Sequence, residues 1–142
     1  MPQSFASHHY HIVFSTKDRT RAIVDPPRMW RYLAGIAQGI DCLPIEIGGV
    51  EDHVHLLIFI PADIAVAKVV SQLKANASKW MGKGFGWQRG YASFTVSVSN
   101  LNSVKTYIAT QPEHHKKRNF QQEYVALLKK HGVKYDERYV FD

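Results

Sequence analysis

His53 and His55 stand two residues apart within the run Gly48-Gly49-Val50-Glu51-Asp52-His53-Val54-His55-Leu56-Leu57-Ile58-Phe59-Ile60-Pro61. The second half of that run is apolar and β-branched, with turn residues at both ends, the pattern of a buried strand. Side chains alternate across a strand, so both imidazoles share one face, with backbones roughly 6.5–7 Å apart. Two rings so placed can converge on one metal ion. Burying neutral imidazoles costs free energy unless their nitrogens find partners. The pair therefore reads either as metal ligands or as two histidines at a strand end, capped by the adjacent Glu51 and Asp52. A catalytic metal needs a third protein ligand and an open position. Gln111 is a candidate. It follows Tyr107 by four residues, which on a helix stacks the two side chains on one face about 6 Å apart along the axis. Two imidazoles and an amide oxygen are all neutral, leaving the full charge of Mg²⁺ or Mn²⁺ to polarise a phosphate. A tyrosine such as Tyr107, taken alone, is more often a core aromatic on an amphipathic stripe.

The elements that would position these residues can be taken in chain order. His8 to Thr16 alternates partly and reads as a first strand. A helix begins near Pro26 and carries Met29, Trp30, Leu33, Ile36, Ala37 and Ile40 on one stripe. Cys42 to Val50 returns as a strand, and Glu51-Asp52 form a tight turn into the His53 strand. A second helix follows Pro61-Ala62-Asp63, with Asp63 as its expected cap. Its apolar face holds Val66, Val69, Val70, Leu73, Ala77, Trp80 and Met81, while Lys68, Gln72, Lys79 and Lys83 share the opposite face. Tyr91 to Ser99 alternates as a fourth strand. A third helix starts at Asn100-Leu101-Asn102-Ser103 and carries Val104, Tyr107, Ile108 and Gln111. Pro112 removes a helical donor and clashes with the carbonyl of Ile108 in a straight helix, so a kink or stop is expected there. A last amphipathic helix runs from about Phe120 to His131, before Gly132. The order strand, helix, strand, strand, helix, strand is the ferredoxin-like split βαβ arrangement, an α+β fold with two helices on one face of a four-stranded antiparallel sheet. The C-terminal helices lie against that core or cross to a partner.

The chain has 142 residues, 45% of them hydrophobic, and one cysteine, Cys42. That length suits one domain, residues 1–142, with a sizeable core. A lone cysteine excludes an intramolecular disulfide and a cysteine-based zinc site, and fits a reducing cytoplasm. The N-terminal residues show no export signal, and no apolar run approaches a membrane span, so a cytoplasmic protein is expected. The net charge is +6, and the segment from Ile64 to Pro112 contains no Asp or Glu while holding Lys68, Lys74, Lys79, Lys83, Arg89 and Lys105. A one-sign field of this kind suits a polyanion, nucleic acid being the commonest, although it also fits a basic face kept for solubility. Lys68, Lys79, Lys83 and Arg89 are the residues expected to meet a nucleic-acid backbone.

Three segments together carry a family resemblance: Gly48 to Leu57, Tyr107-Ile108-Ala109-Thr110-Gln111, and Trp87-Gln88-Arg89-Gly90-Tyr91 with Phe94-Thr95-Val96-Ser97. The chain resembles the single-tyrosine HUH transposases of bacterial insertion sequences, the IS200-like superfamily that includes the REP-associated tyrosine transposases. The resemblance implies that His53 and His55 are metal ligands, Gln111 the third ligand and Tyr107 the nucleophile. It implies attack on a phosphodiester of single-stranded DNA, leaving a 5′-phosphotyrosine and a free 3′-hydroxyl that later rejoins the strand, without a nucleotide cofactor. It further implies recognition of DNA hairpins at element ends, and a homodimer whose tyrosine helix can reach the partner's histidines.

Two other readings compete. Lys83-Gly84-Phe85-Gly86-Trp87 resembles the start of the RNA-recognition-motif signature, though the match fails at Gln88 and Gly90, which leaves an RNA-binding module without catalysis. A domesticated hairpin binder is the other. Phe85 and Trp87 suit either base stacking or packing over the sheet edge. His114-His115-Lys116-Lys117-Arg118 reads as a phosphate-contacting or solvated basic turn. His9 and His11 share a face of the first strand and border the site.

Overall fold

The computed structural model describes residues 3–142. Its elements are β1 (His9–Ser15), α1 (Pro26–Gly39), β2 (Leu43–Val50), β3 (His53–Phe59), α2 (Val66–Met81), β4 (Ala92–Val96), α3 (Leu101–Ala109), α4 (Gln111–His114) and α5 (Phe120–Lys130). The strands form one antiparallel sheet in the order β2-β3-β1-β4. This is the expected α+β arrangement, with the histidine strand in the sheet interior.

The two faces of the sheet have different jobs. Ile12 and Phe14 of β1 and Val54, Leu56 and Ile58 of β3 pack against Met29, Leu33 and Ala37 of α1 and Val69, Val70, Leu73 and Ala77 of α2. Those are the stripes that the 3.6-residue period predicts. The alternate residues of the same strands point the other way. Val13 meets Phe120, Tyr124, Leu127 and Leu128 of α5, and Leu57 meets Ile108 of α3. His11, His53 and His55 have the same parity and share this second face. Because helices cover both faces, no open sheet platform of the RNA-recognition type is left. Trp87 packs edge-on against Phe14 with ring centroids 5.0 Å apart and is buried, so its loop uses the aromatic for packing.

Some boundaries differ from the sequence expectation. α2 starts at Val66, with Ala65 rather than Asp63 at its N-cap position and no side-chain cap. β4 is only five residues long, because Ser97 leaves the ladder and Val98–Asn100 form a single tight turn leading into α3. The tyrosine helix ends at Ala109, Thr110 turns the chain, and Gln111 opens the short α4. Pro112 falls in the first turn of α4, where its missing N–H has no intrahelical partner to lose.

Close approach of α3 to the sheet depends on Gly48. A Cβ there would lie 2.5 Å from the carbonyl oxygen of Ile108, so only glycine lets the tyrosine helix sit this close to β2. Its neighbour Gly49 has φ +154°, a conformation that favours glycine.

Candidate metal and nucleophile site

Four ligand-bearing side chains converge behind β3: His53, His55, His115 and Glu123, whose donor atoms all lie within 4.8 Å of one another. The centre is Glu123 Oε1, 2.9 Å from His55 Nε2, 3.0 Å from His115 Nε2 and 3.4 Å from His53 Nε2. Gln111 closes the ring, its Oε1 lying 3.0 Å from His53 Nε2 and 2.9 Å from His115 Nε2. His53, His55, Gln111 and Glu123 are all 0% exposed.

The backs of the two strand histidines are held as well. His53 Nδ1 lies 2.7 Å from Asp52 Oδ1, and His55 Nδ1 lies 2.8 Å from His11 Nε2. Each outer partner fixes its ring so that Nε2 faces the cluster, the arrangement that orients metal-binding imidazoles. Three imidazoles, a carboxylate and an amide oxygen around one point fit a divalent cation. An imidazole-rich set suits Mn²⁺ better than Mg²⁺, which prefers oxygen ligands and bound water.

Tyr107 stands at the edge of this cluster. Its hydroxyl donates to Glu123 Oε2, and the amide of Gln111 donates to the same oxygen at 3.1 Å. On the other side Arg118 Nη2 donates to the Tyr107 oxygen at 3.4 Å. Burial and the Glu123 carboxylate push the phenol pKa up to about 12, with Arg118 pulling against them. Tyr107 is therefore a neutral phenol at physiological pH, its hydroxyl hydrogen-bonded to an ionised carboxylate.

The charges inside the cluster are interlocked. Burial disfavours charge on Glu123, but hydrogen bonds from His115, His53 and His55 hold its carboxyl well below the usual range. For His53 burial is likewise opposed by Asp52 and Glu123, and the net result is a pKa raised to about 9. Burial dominates at His55, lowering its pKa to about 4 despite Glu123. The carboxylate is thus ionised, His53 carries the compensating proton and His55 is neutral.

His53, His55, Gln111 and Tyr107 are brought together here, whereas the expected nucleic-acid contacts lie elsewhere. Lys68 and Lys79 are exposed on α2, and Lys83 and Arg89 are exposed in the loop after it. α2 covers the opposite face of the sheet from the histidines. The main residues missed by sequence reasoning are Glu123 and His115; His11, expected to border the site, backs His55. Glu123 did leave a signal, since it lies three residues after Phe120 and four before Leu127, on the buried stripe of α5. An ionisable residue there has no packing purpose. The Asn119–Gln122 capping box, with reciprocal hydrogen bonds of 2.9 Å, fixes the first turn of α5 just before it. His115 follows Gln111 by four residues, yet the basic run around it reads as solvated.

Residues 4–111 match the family described as "Transposase IS200 like". The transposase for insertion sequence element IS200 from Salmonella typhimurium is 29% identical, over 75% of this chain and 78% of that protein; that of Salmonella typhi matches to the same extent. Among solved structures, a Deinococcus radiodurans R1 protein assigned as a transposase superposes with a TM-score of 0.61 at 22% identity, covering 78% of this chain and 96% of the other. A REP-associated tyrosine transposase bound to a REP hairpin superposes with a TM-score of 0.64 at 13% identity, covering 81% and 74%. At these identities the superpositions speak to the fold.

Proposed function

The chain belongs to the IS200-like transposase family and is a DNA transposase, and on that premise we propose that it cuts and rejoins single-stranded DNA through Tyr107 with a divalent metal. The observation that carries this reading is the shared carboxylate. Glu123 touches the phenol hydroxyl with one oxygen and the histidine cluster with the other. A nucleophile and a cation site are thereby coupled within one chain.

His53, His55 and Glu123, with His115 and Gln111 completing the ring, would hold the ion. When bound, it supplies Lewis-acid polarisation of a phosphate oxygen. Mn²⁺ suits this donor set best, with Mg²⁺ the abundant alternative. The rest of the chemistry belongs to side chains. The Tyr107 oxygen, hydrogen-bonded to Glu123 Oε2, loses its proton to solvent and forms a bond to phosphorus as the bond from phosphorus to the 3′ oxygen breaks. That 3′ oxygen takes up a proton, and the DNA is left joined to Tyr107 through its 5′ phosphate. Reversal by another 3′-hydroxyl restores a phosphodiester without a nucleotide cofactor. Arg118, beside the attacking oxygen, opposes the negative charge that builds there.

DNA hairpins are the proposed substrate. Support comes from the net charge and from the hairpin bound by the REP-associated relative. Lys68, Lys79, Lys83 and Arg89 are proposed as phosphate contacts away from the cleavage site. A homodimer whose tyrosine helix can reach the partner's histidines is proposed as well, as the family resemblance implies. Among the described residues no helix is long and apolar enough to cross a membrane.

The test is a denaturing-gel assay for a covalent protein–DNA adduct. Labelled single-stranded hairpins from the DNA flanking the gene are incubated with Mn²⁺, Mg²⁺ or chelator. Wild type should give a metal-dependent adduct that is absent in Tyr107→Phe and His55→Ala. An adduct that survives Tyr107→Phe would assign the nucleophile to another residue, and tight hairpin binding without any adduct would make the protein a binder alone.

A further inference from the structure

A cleft of about 610 Å³ opens between α3, α5 and β4, within the roughly 300–1,000 Å³ of sites that hold small organic ligands. Tyr107 and Arg118 both line it. Tyr107 lines the cleft while its hydroxyl contacts Glu123 at the edge of the buried cluster, so a phosphate seated in the cleft would lie beside both the phenol and the cluster. Arg118 already donates to the Tyr107 oxygen. A phosphate delivered to that oxygen must therefore come within reach of the guanidinium.

The chemistry of the walls narrows the ligand. No aspartate or glutamate lines the cleft, and Lys130 on α5 adds a second permanent positive charge to that of Arg118. Val96, Val104 and Leu127 supply apolar surface, while Ser103 offers a hydroxyl. His131, also in the lining, is stacked on Phe94 with ring centroids 4.0 Å apart and planes 15° apart. His131 is exposed, so a base can extend that stack. Cations for a phosphate, an aromatic pair for a base and a polar rim for the base edge make a nucleotide the matching class. The space is too small for a length of duplex.

We propose that this cleft holds the unpaired nucleotide adjoining the phosphodiester that Tyr107 attacks, its phosphate drawn by Arg118 and Lys130 and its base lying against His131, Val104 and Leu127. The inference rests on the reading of Tyr107 as the nucleophile. It adds that α3 and α5, rather than the basic face of α2, receive the nucleotide beside the cut.

The decisive variant is Ser103→Trp. Ser103 is exposed and lies one helical turn before Tyr107, so an indole there fills the cleft without entering the core. Asn102→Trp places the same indole on an exposed neighbouring position outside the cleft. With a labelled single-stranded hairpin oligonucleotide and Mn²⁺, Ser103→Trp should reduce adduct formation at least tenfold. Its Mn²⁺ affinity and hairpin affinity should stay within about twofold of wild type, and Asn102→Trp should react as wild type does. Wild-type reactivity in Ser103→Trp would overturn the cleft assignment and leave the Tyr107 reading intact; no adduct from wild-type protein would overturn both. A second measurement does not depend on the folding of that variant. Tyr107→Phe protein is irradiated with the same oligonucleotide carrying one 4-thiothymidine beside the cleavage position. Crosslinks to α3 or α5 support the assignment, and crosslinks confined to α2 overturn it.

Discussion

The Tyr107 hydroxyl donates to Glu123, a residue on a different helix and sixteen positions along the chain. The other oxygen of that carboxylate lies 2.9 Å from His55 Nε2. One side chain therefore acts on both the protonation of the phenol and the charge of the proposed cation site. Glu123 enters a helix whose remaining buried residues are Phe120, Tyr124, Leu127 and Leu128. Its ionisation is sustained by three imidazoles in place of water.

Glu123→Gln keeps the size of the side chain and removes its charge. Affinity for Mn²⁺, measured by isothermal titration calorimetry, should fall by about 10–100-fold, the range found when groups that support a metal site are lost. The pKa of His53 should fall below about 9 as one of its two carboxylate partners disappears, which ring-proton NMR can follow. An unchanged Mn²⁺ dissociation constant would remove Glu123 from the ligand set.

Stability of the metal-free protein should depend on pH in both directions. His53 has its folded pKa raised from 6.5 to about 9, so its contribution is complete below pH 6.5 and is lost as pH rises through 9. At about 1.4 kcal/mol per unit this is roughly 3 kcal/mol. His55 has its folded pKa lowered from 6.5 to about 4, so its contribution is present above pH 6.5 and is lost as pH falls through 4. The depressed Glu123 carboxyl adds to the same acid limb. Thermal melts in chelator from pH 4 to 10 should peak near pH 6.5. Asp52→Asn, which removes the negative charge facing His53 Nδ1, should flatten the alkaline limb; an alkaline limb as steep as that of wild type would rule out the Asp52–His53 pair as its origin.

Two glycines should respond with opposite sign. Gly48→Ala places a methyl 2.5 Å from the Ile108 carbonyl oxygen, so α3 must lift from β2 and carry Tyr107 with it. A loss of about 1–3 kcal/mol, in the range of overpacked sites, should accompany a large drop in adduct formation. Gly35→Ala, in the exposed part of α1 with nothing within 4 Å of the new methyl, should stabilise by about 0.5–1 kcal/mol. Urea unfolding measures both. A neutral Gly48→Ala would show that the tyrosine helix does not depend on this contact.

Lys79→Ala probes the exposed face of α2, on the opposite side of the sheet from Tyr107. Hairpin affinity should weaken alike for every sequence, and the slope of log K against log salt should become shallower by about one. Filter binding between 50 and 300 mM salt measures it. A change confined to the choice of cleavage sequence would take Lys79 out of the phosphate-contacting set.

The sequence by itself determined most of the frame. Period-two and period-3.6 patterning placed the four strands and the helices, because burial of one face is a local, repeating demand that each segment must meet. The spacing His53-Val54-His55 fixed two imidazoles on one face, since alternation leaves a strand no other choice. Pro112 announced the break after the tyrosine helix, and the turn it marks still leaves Gln111 in the cluster. The family resemblance singled out Tyr107 among seven tyrosines as the expected nucleophile.

The completion of the site was a tertiary matter. Glu123, His115 and His11 come from three other segments, and their roles arise only when α5 packs on the sheet and α4 turns back over β3. A buried glutamate in a helical stripe signals that something unusual is present, but its partners lie 68 residues away at His55 and eight away at His115. No local period encodes such distances. Likewise the +6 charge counts lysines without assigning them to faces. Only the fold separates the α2 lysines from Arg118 and Lys130 beside Tyr107, because a sheet covered on both sides sends successive residues of the same strand to opposite layers.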